Sequence, residues 1–485
     1  MIDGHLPVVP IVALLAGIVA TYLLDTYLDD RRAADGVAAV SLIVALAASL
    51  ALARGSGGVY SAFGASPTIL VSGLGTLLGV LAPAVALVAL IGLGDSLDDP
   101  TGAGRPLALA VVAGVVTIGY APDAFTLYLG FELLAVATYA LVPFAIDRSS
   151  AVVAGRQYVV LNAVGSAVAI FGIALLATTE GGLSLVEPSA GPAAPVWGLA
   201  AAAIVVGFGV KGAVVPLHAW VPDAYAEAPY AATVLLAALA TPAAIVAMAR
   251  CLRLAPADLP VGTLLVVAGV GSMTVGNLLA YGQSTVRRVI ACSSIPHVGY
   301  ILVGLGAAFA AGGGSLAAQG ALFHVVANAI MKAGAFVAIA ALLGAIGAGA
   351  DATHDEIAGL GHRLPLAGAT LAVAVLALAG VPPLVGFWGK LLIVVGSANL
   401  GALGVAVGIA VVANSFLSLG YYLPIVRSLY ASPGDRDLGR PSRALTASLA
   451  IALLAIVVVG IAPMVGLDAA SAGADAIAPV GEVVP

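Results

Sequence analysis

The chain has 485 residues, 62% of them hydrophobic and only 9% charged, with a mean hydropathy of +1.14. A soluble protein carries roughly 25% charged residues, so the composition excludes a soluble enzyme and indicates an integral membrane protein. The net charge of −6 says little about partners, and Cys251 and Cys292 are too isolated for a disulfide framework or a metal–thiolate centre. The sequence holds no Gly-rich phosphate loop and no H-E-x-x-H, and nothing in it points to a nucleic-acid partner or a bound cofactor.

A membrane span needs about 20 mainly apolar residues. About fourteen are predicted, at 6–25, 36–53, 72–94, 106–121, 124–146, 155–177, 196–217, 229–250, 261–281, 288–310, 316–346, 366–397, 400–426 and 444–463. The first begins directly after His5 with no basic stretch before it, and so reads as a membrane helix and not as a cleaved signal. Residues 431–485 read as a last helix followed by a loose Ala/Gly/Pro-rich tail. The arginines test this layout. With both termini outside, Arg31, Arg32, Arg105, Arg148, Arg156, Arg287, Arg288, Arg363, Arg427, Arg436, Arg440 and Arg443 are cytoplasmic, and only Arg54, Arg250 and Arg253 are external. Twelve against three satisfies the positive-inside rule, and an even number of spans keeps it satisfied. The expected location is therefore the cell membrane, with the bilayer as solvent and both termini external.

Polar residues stand out along these apolar spans. Asp25, Asp95 and Asp123 fall at helix ends and read as solvated. Glu132 lies deep in an apolar span, with Tyr128 one turn earlier on the same face. Lys211 precedes Pro216, and His218, Asp223 and Glu227 follow it near the cytoplasmic end, where they would shape or hydrate an entrance. His297 is a further titratable group. His324, Asn328 and Lys332, at i, i+4 and i+8, form one polar stripe. Lys390 follows the Pro382–Pro383 pair.

Lys211, Lys332 and Lys390 are the only lysines in the chain, the reverse of a soluble protein, where lysine covers the surface. A lysine in hydrocarbon is costly and marks a functional site by default. Unlike arginine, it can give up its proton. The prolines should interrupt two of the helices, and irregular backbone at membrane depth is tolerated only where it is buried in protein or lines a wet cavity. A lysine whose carboxylate partner approaches or withdraws has a tunable proton affinity, and Glu132 with Lys211 is the obvious pair. Blander readings stand beside these: a snorkelling lysine, a structural ion pair for Glu132, and inter-helix hydrogen bonds for the histidines and Asn328.

Together, LYLGFELLAVATYALVPF, VKGAVVPLHAWVPDAYAEAP, VRRVIACSSIPHVGYILVGL, HVVANAIMKAGAFVAIAAL and LALAGVPPLVGFWGK resemble the antiporter-like subunits of respiratory complex I and the related Mrp cation/proton antiporters, over roughly residues 75–430. The resemblance implies an all-α polytopic protein with two inverted five-helix repeats, each with a broken helix. It divides the chain into N-terminal helices (1–104), two half-repeats (105–255 and 256–430) and a C-terminal part (431–485). It implies that Glu132 pairs with Lys211, that His324 and Lys332 belong to a central hydrophilic axis, and that Lys390 ends it. Redox chemistry and quinone reduction would belong to partner membrane subunits, with no cofactor here. Lys390 argues against the M-type subunit of complex I and the short C-terminal part against the L-type; GRQYVVLNAVGSA, SIPHVGY, MKAGAFV and ANSFLSLGYY look most like the N subunit, whereas the His324–Asn328–Lys332 stripe looks more like L-, M- or Mrp-type subunits. A D-type subunit of an Mrp Na+/H+ antiporter and a scaffold with no continuous path are the alternatives. One departure stands out: the family's bridging lysine between the halves is missing, and Thr241–Pro242 occupies its place.

Overall fold

A chain this apolar must pair its backbone donors and acceptors internally, and helices do so within one segment. The computed structural model describes residues 4–28, 30–55, 57–61, 66–98, 101–144, 149–179, 182–187, 195–256, 258–310, 315–349, 351–432 and 437–478. Arg148 and Arg436 lie outside them, as do the last seven residues of the expected tail.

The N-terminal part contains α1 (Val9–Tyr27), α2 (Arg31–Ala53), the strands β1 (Gly58–Tyr60) and β2 (Ile69–Val71), and α3 (Gly73–Leu93). The two strands pair antiparallel, Gly58 opposite Val71, a small exception among otherwise helical elements. The first repeat follows: α4 (Gly104–Tyr120), α5 (Ala124–Leu141), α6 (Ser149–Leu176), α7 (Pro195–Lys211), α8 (Val221–Glu227), α9 (Tyr230–Leu235), a π turn at Leu236–Ala240 and α10 (Thr241–Leu252). The second comprises α11 (Val261–Tyr281), α12 (Val286–Cys292), α13 (Ser294–Ala310), α14 (Ser315–Ala345), α15 (Leu360–Arg363), α16 (Pro365–Ala379), α17 (Val385–Gly396) and α18 (Ala402–Leu429). The chain closes with α19 (Arg443–Ile461) and α20 (Met464–Ala474).

Eleven of the described helices are long and apolar enough to cross a membrane. The shorter α4 and the interrupted pairs α7/α8 and α16/α17 bring the spans to the fourteen expected. Each repeat has five spans, and an odd number turns the second upside down relative to the first. A local detail repeats with them: the residue capping the second span of each repeat bridges to the loop after the third, Asp123 with Ser184 and Thr285 with Thr353.

Three arginines expected near helix ends are buried there and organise those ends. Arg105 binds Asp25 at 3.0 Å, Asp35 at 2.5 Å and Asp98 at 2.9 Å, tying together the same-side ends of α1 to α4. Asp25 is thus buried in an ion pair, not solvated, because a guanidinium donor meets it in the dry interior. Arg250 donates to the carbonyls of Ile118, Gly119 and Ala121 and so caps the C-terminal end of α4. Arg287 does the same for the end of α8 through the carbonyls of Tyr225 and Ala228.

The expected loose tail is corrected over residues 464–474, which form α20 and pack on α3 and α14. Gln319 donates to Leu467 O at 3.0 Å. Gly73 meets Ala472 so closely that a Cβ on it would lie 2.0 Å from the Ala472 carbonyl oxygen. Small residues give α20 little helix propensity of its own and make this close docking possible.

The segments 230–252 and 286–310 are wholly enclosed, whereas α1, α2, α6, α18 and α19 leave apolar side chains such as Val19, Val160, Ile409 and Leu454 exposed to the bilayer.

Candidate functional site

A series of polar side chains, in contact within local clusters and spaced by single helix turns between them, runs through the two repeats. It begins at Glu132, only partly buried on α5, whose carboxylate accepts from Ser166 Oγ of α6 at 2.7 Å. Tyr128 joins it by donating to Ser166 O at 3.3 Å. Tyr139 OH lies 3.5 Å from Ser166 Oγ, and the Lys211 ammonium sits 5.1 Å from the centre of the Tyr139 ring.

Lys211 is the last residue of α7, at the first break. Its Nζ donates to Thr138 Oγ1 at 2.6 Å and to Tyr158 OH at 2.5 Å, and Tyr158 OH in turn donates to Thr138. The direct Glu132–Lys211 pair is therefore not formed in this conformation, because hydroxyls on α5 and α6 satisfy the ammonium and Ser166 satisfies the carboxylate. The break itself is built from Ala213 at φ 57 and Pro216. A non-glycine residue in the left-handed region is strained and persists only where its surroundings fix it. Here Trp220 Nε1 donates to Val210 O at 2.8 Å, and Val215 N donates to Ser272 Oγ at 3.1 Å.

Tyr158, Trp220 and Tyr225 pack edge to face, at centroid distances of 4.9 and 5.7 Å. Tyr225 OH lies 2.6 Å from Thr241 Oγ1. One turn earlier on the same segment, Ala237 O accepts from Asn328 Nδ2 at 3.1 Å, which crosses into the second repeat. On α14, Lys332 lies one turn beyond Asn328 and donates to Ile290 O at 2.8 Å and Ser293 Oγ at 2.7 Å. His324 lies one turn before Asn328. Its Nε2 is 3.0 Å from His297 Nδ1, with the two rings parallel. Tyr300 packs against His324 at 5.4 Å, and the Lys390 Nζ stands 4.3 Å from the centre of the Tyr300 ring.

Lys390 closes the succession at the second break. Gly380, at φ 91, ends α16 in the left-handed conformation that suits a glycine. Continuing the helix would pair the carbonyls of Leu378 and Ala379 with the N–H groups of residues 382 and 383, but both are proline and have none. Lys390 Nζ supplies both bonds, at 3.1 and 3.0 Å. The lysine caps a helix C-terminus, where a positive charge also suits the helix dipole. Beside it lies an apolar cavity of about 400 Å³ lined by Pro382, Leu391, Val412, Phe416 and Leu419, facing the bilayer.

The structure thus places Glu132, Tyr128 and Lys211 in one polar cluster of the first repeat, and Lys332, then His297 with His324 and Lys390, in neighbouring clusters of the second, with Asn328 between them on α14. His218 stands apart from these clusters: it is part-buried between α7 and α8, with Nδ1 unpaired. Asp223, Glu227, Arg288, Ser149 and Ser150, with Val153 and Ala154, line a cavity of about 330 Å³ at the loop side, where Arg288 pairs with Asp223 at 2.6 Å. Sequence reasoning missed Ser166, Thr138, Tyr158, Tyr225 and Ser293, because hydroxyls are common in membrane helices and only their neighbours distinguish these five.

The family model described as NADH:quinone oxidoreductase/Mrp antiporter, TM, matches residues 121–418. NADH-quinone oxidoreductase subunit N 2 of Roseiflexus castenholzii is 35% identical over 378 residues, covering 75% of this chain and 74% of that protein. F(420)H(2) dehydrogenase subunit N of Methanosarcina mazei is 33% identical, covering 74% of each. A chain of the membrane-bound sulfane sulfur reductase, an archaeal respiratory membrane complex, superposes with a TM-score of 0.84 at 25% identity, covering 98% of this chain and 97% of that one.

Proposed function

Because the chain belongs to the NADH:quinone oxidoreductase/Mrp antiporter transmembrane family, we propose that it is the N-type proton-translocating membrane subunit of a complex I-like quinone oxidoreductase. Glu132, Lys211, Lys332, His324 and Lys390 hold and pass protons, Tyr128, His297 and Asn328 support them, and His218 shapes an entrance near α8. The observation that carries this reading is the row of polar clusters from Glu132 to Lys390, in contact within each cluster and spaced by single helix turns between Thr241 and Ala237 and along α14. Lysine suits the task because it can exist with or without its charge, and the two helix breaks give each end lysine a set of polar partners.

Electron transfer and quinone reduction belong to partner subunits, and this chain carries no cofactor. The two relatives are named for different electron donors, which fits a donor set by the partners. Both are N subunits more than 30% identical to this chain, which favours this reading over a D-type Mrp subunit exchanging Na+. The arginine bias supports a cell-membrane location with both termini external.

The test uses the native complex in sealed vesicles, with proton uptake followed during quinone reduction. Glu132→Gln and Lys211→Met, assembled at normal levels, are expected to lose most of the uptake. Wild-type uptake in both would falsify the reading.

A further inference from the structure

The lysine at the first break makes fewer hydrogen bonds than a charged lysine can. Thr138 Oγ1 gives its one proton to the carbonyls of Leu134 and Ala135, at 2.9 and 2.8 Å, and Tyr158 OH gives its own to Thr138. Both hydroxyls therefore accept from Lys211 Nζ. A neutral amine has two N–H groups, and these two contacts use both. An ammonium has three, and the third needs an acceptor, because Lys211 is only 1% exposed. Asn162 on α6 offers one. Its Nδ2 donates to Tyr158 O at 2.9 Å, which fixes the orientation of the amide, since a carbonyl can only accept. Its Oδ1 is left buried with no partner, on a residue 2% exposed. The packing of α6 on α7 sets its height. Gly172 abuts Ala200 and Ile204, and Gly165 abuts Gly207 and Val210, so the two helices run antiparallel. Carrying that register three residues past Gly165 places Asn162 level with Lys211. Asn162 also stands on α6 between Tyr158, which holds Lys211, and Ser166, which holds Glu132, one helix turn from each.

We propose that Asn162 is a positioning residue for Lys211: its Oδ1 receives the third proton of the ammonium and so holds the charged lysine, on the side towards Glu132. The two hydroxyl contacts alone are the arrangement that a neutral amine fills. On protonation the flexible lysine stem brings Nζ towards Asn162; on release Nζ returns to the hydroxyls and Oδ1 is freed. Asn162 itself takes up no proton. Its part in translocation rests on the proton-translocating reading above. The other titratable groups around Lys211 are Tyr139 with Glu132 and Tyr128 beyond it on α5, Tyr158 on α6 and Tyr225 on α8, with His218 in the break. α10 meets the break through Ile245, against Gly212, and its Arg250 and Cys251 lie further along.

Lysines are so few here that each can be watched singly. In the full chain reconstituted in lipid vesicles, isotope-labelled lysine observed at Nζ by solid-state NMR gives three signals, and Lys211→Met identifies that of Lys211. Asn162→Leu removes the acceptor at similar size. It is expected to lower the pH at which Lys211 loses its charge by about 1–2 units, the equivalent of one hydrogen bond to a charged group, and to leave Lys332 and Lys390 where they are. Asn162→Asp, which keeps an oxygen and adds a charge, is expected to raise that pH. A purely structural role would move it in neither variant. An unmoved Lys211 in Asn162→Leu, or an equal fall in both variants, refutes the proposal and leaves the wider reading untouched. Asn162→Asp decides alone if Asn162→Leu fails to fold, and a midpoint that does not rise then refutes the proposal. In vesicles carrying the native complex, the decline of redox-driven proton uptake at high pH should shift with the lysine in Asn162→Leu. A shifted lysine with an unshifted uptake profile supports the Asn162 contact and refutes the translocating role of Lys211.

Discussion

Lys390→Met is expected to destabilise the protein far more than Lys332→Met, although both remove a buried lysine. At Lys390 the ammonium alone serves the carbonyls of Leu378 and Ala379, because Pro382 and Pro383 cannot donate to them. Methionine keeps the volume and leaves both oxygens bare. At about 1–3 kcal/mol for each orphaned buried group, the loss is about 2–6 kcal/mol. At Lys332 the two acceptors are Ile290 O and Ser293 Oγ, and Ser293 Oγ already donates to Ile290 O at 2.8 Å. Removing that ammonium orphans no carbonyl, and the expected loss is about 1 kcal/mol. The assay is thermal unfolding of the purified full-length protein in detergent, followed by tryptophan fluorescence, since Trp388 lies on the same helix as Lys390. Equal midpoints for the two variants would refute the capping argument. Lys390→Arg, which keeps a cation near the same carbonyls, should fall between Lys390→Met and wild type.

Arg250→Met should uncap α4 by stripping a donor from three carbonyls, costing about 3 kcal/mol or more; the yield of folded protein after detergent extraction reads this out. Gly386→Ala would place a Cβ 1.9 Å from Ala377 O and force α16 and α17 apart, whereas Gly344→Ala, with open space around it, should leave the melting curve where it is. His354, in the loop after α14, has its pKa lowered by burial, against the opposing pull of Asp355 and the Pro424 carbonyl. The folded loop thus favours the neutral ring. Its contribution to stability is complete above the ordinary histidine value and declines as pH falls through it. Proteolysis of the 351–359 loop should therefore accelerate on acidification below about pH 6.5, and His354→Gln should remove that acceleration.

The spans and both helix breaks were legible because they rest on local signals, namely runs of apolar residues and prolines that cannot donate. The three lysines were legible for a related reason, since charge in an apolar run stands out in any register. What their ammonium groups touch was not, because Thr138, Tyr158 and Ser293 come from other spans and no spacing rule connects them. The Glu132–Lys211 pair illustrates this limit: the two residues lie near one cluster, yet hydroxyls hold them separately. Asp25 and Arg105 were read as ordinary helix-end charges because burial of an ion pair depends on where four helix ends meet. α20 escaped notice because Ala and Gly carry little helical signal until a neighbour such as Gly73 lets them approach.

The enclosure of segments 230–252 and 286–310 bears on how the molecule is made. Helices enter a bilayer in the order in which the ribosome delivers them, so on entry each of these segments can meet only partners synthesised before it. Arg250 and Arg287 then lack the carbonyls that later receive them only until α4 and α8, which are synthesised earlier, dock alongside. Lys332 likewise finds Ile290 and Ser293 already inserted when α14 emerges. Lys390 finds its carbonyl partners within a dozen residues upstream. In every case the acceptor precedes the cation in synthesis, so each of these buried cations enters the bilayer with its partners already delivered.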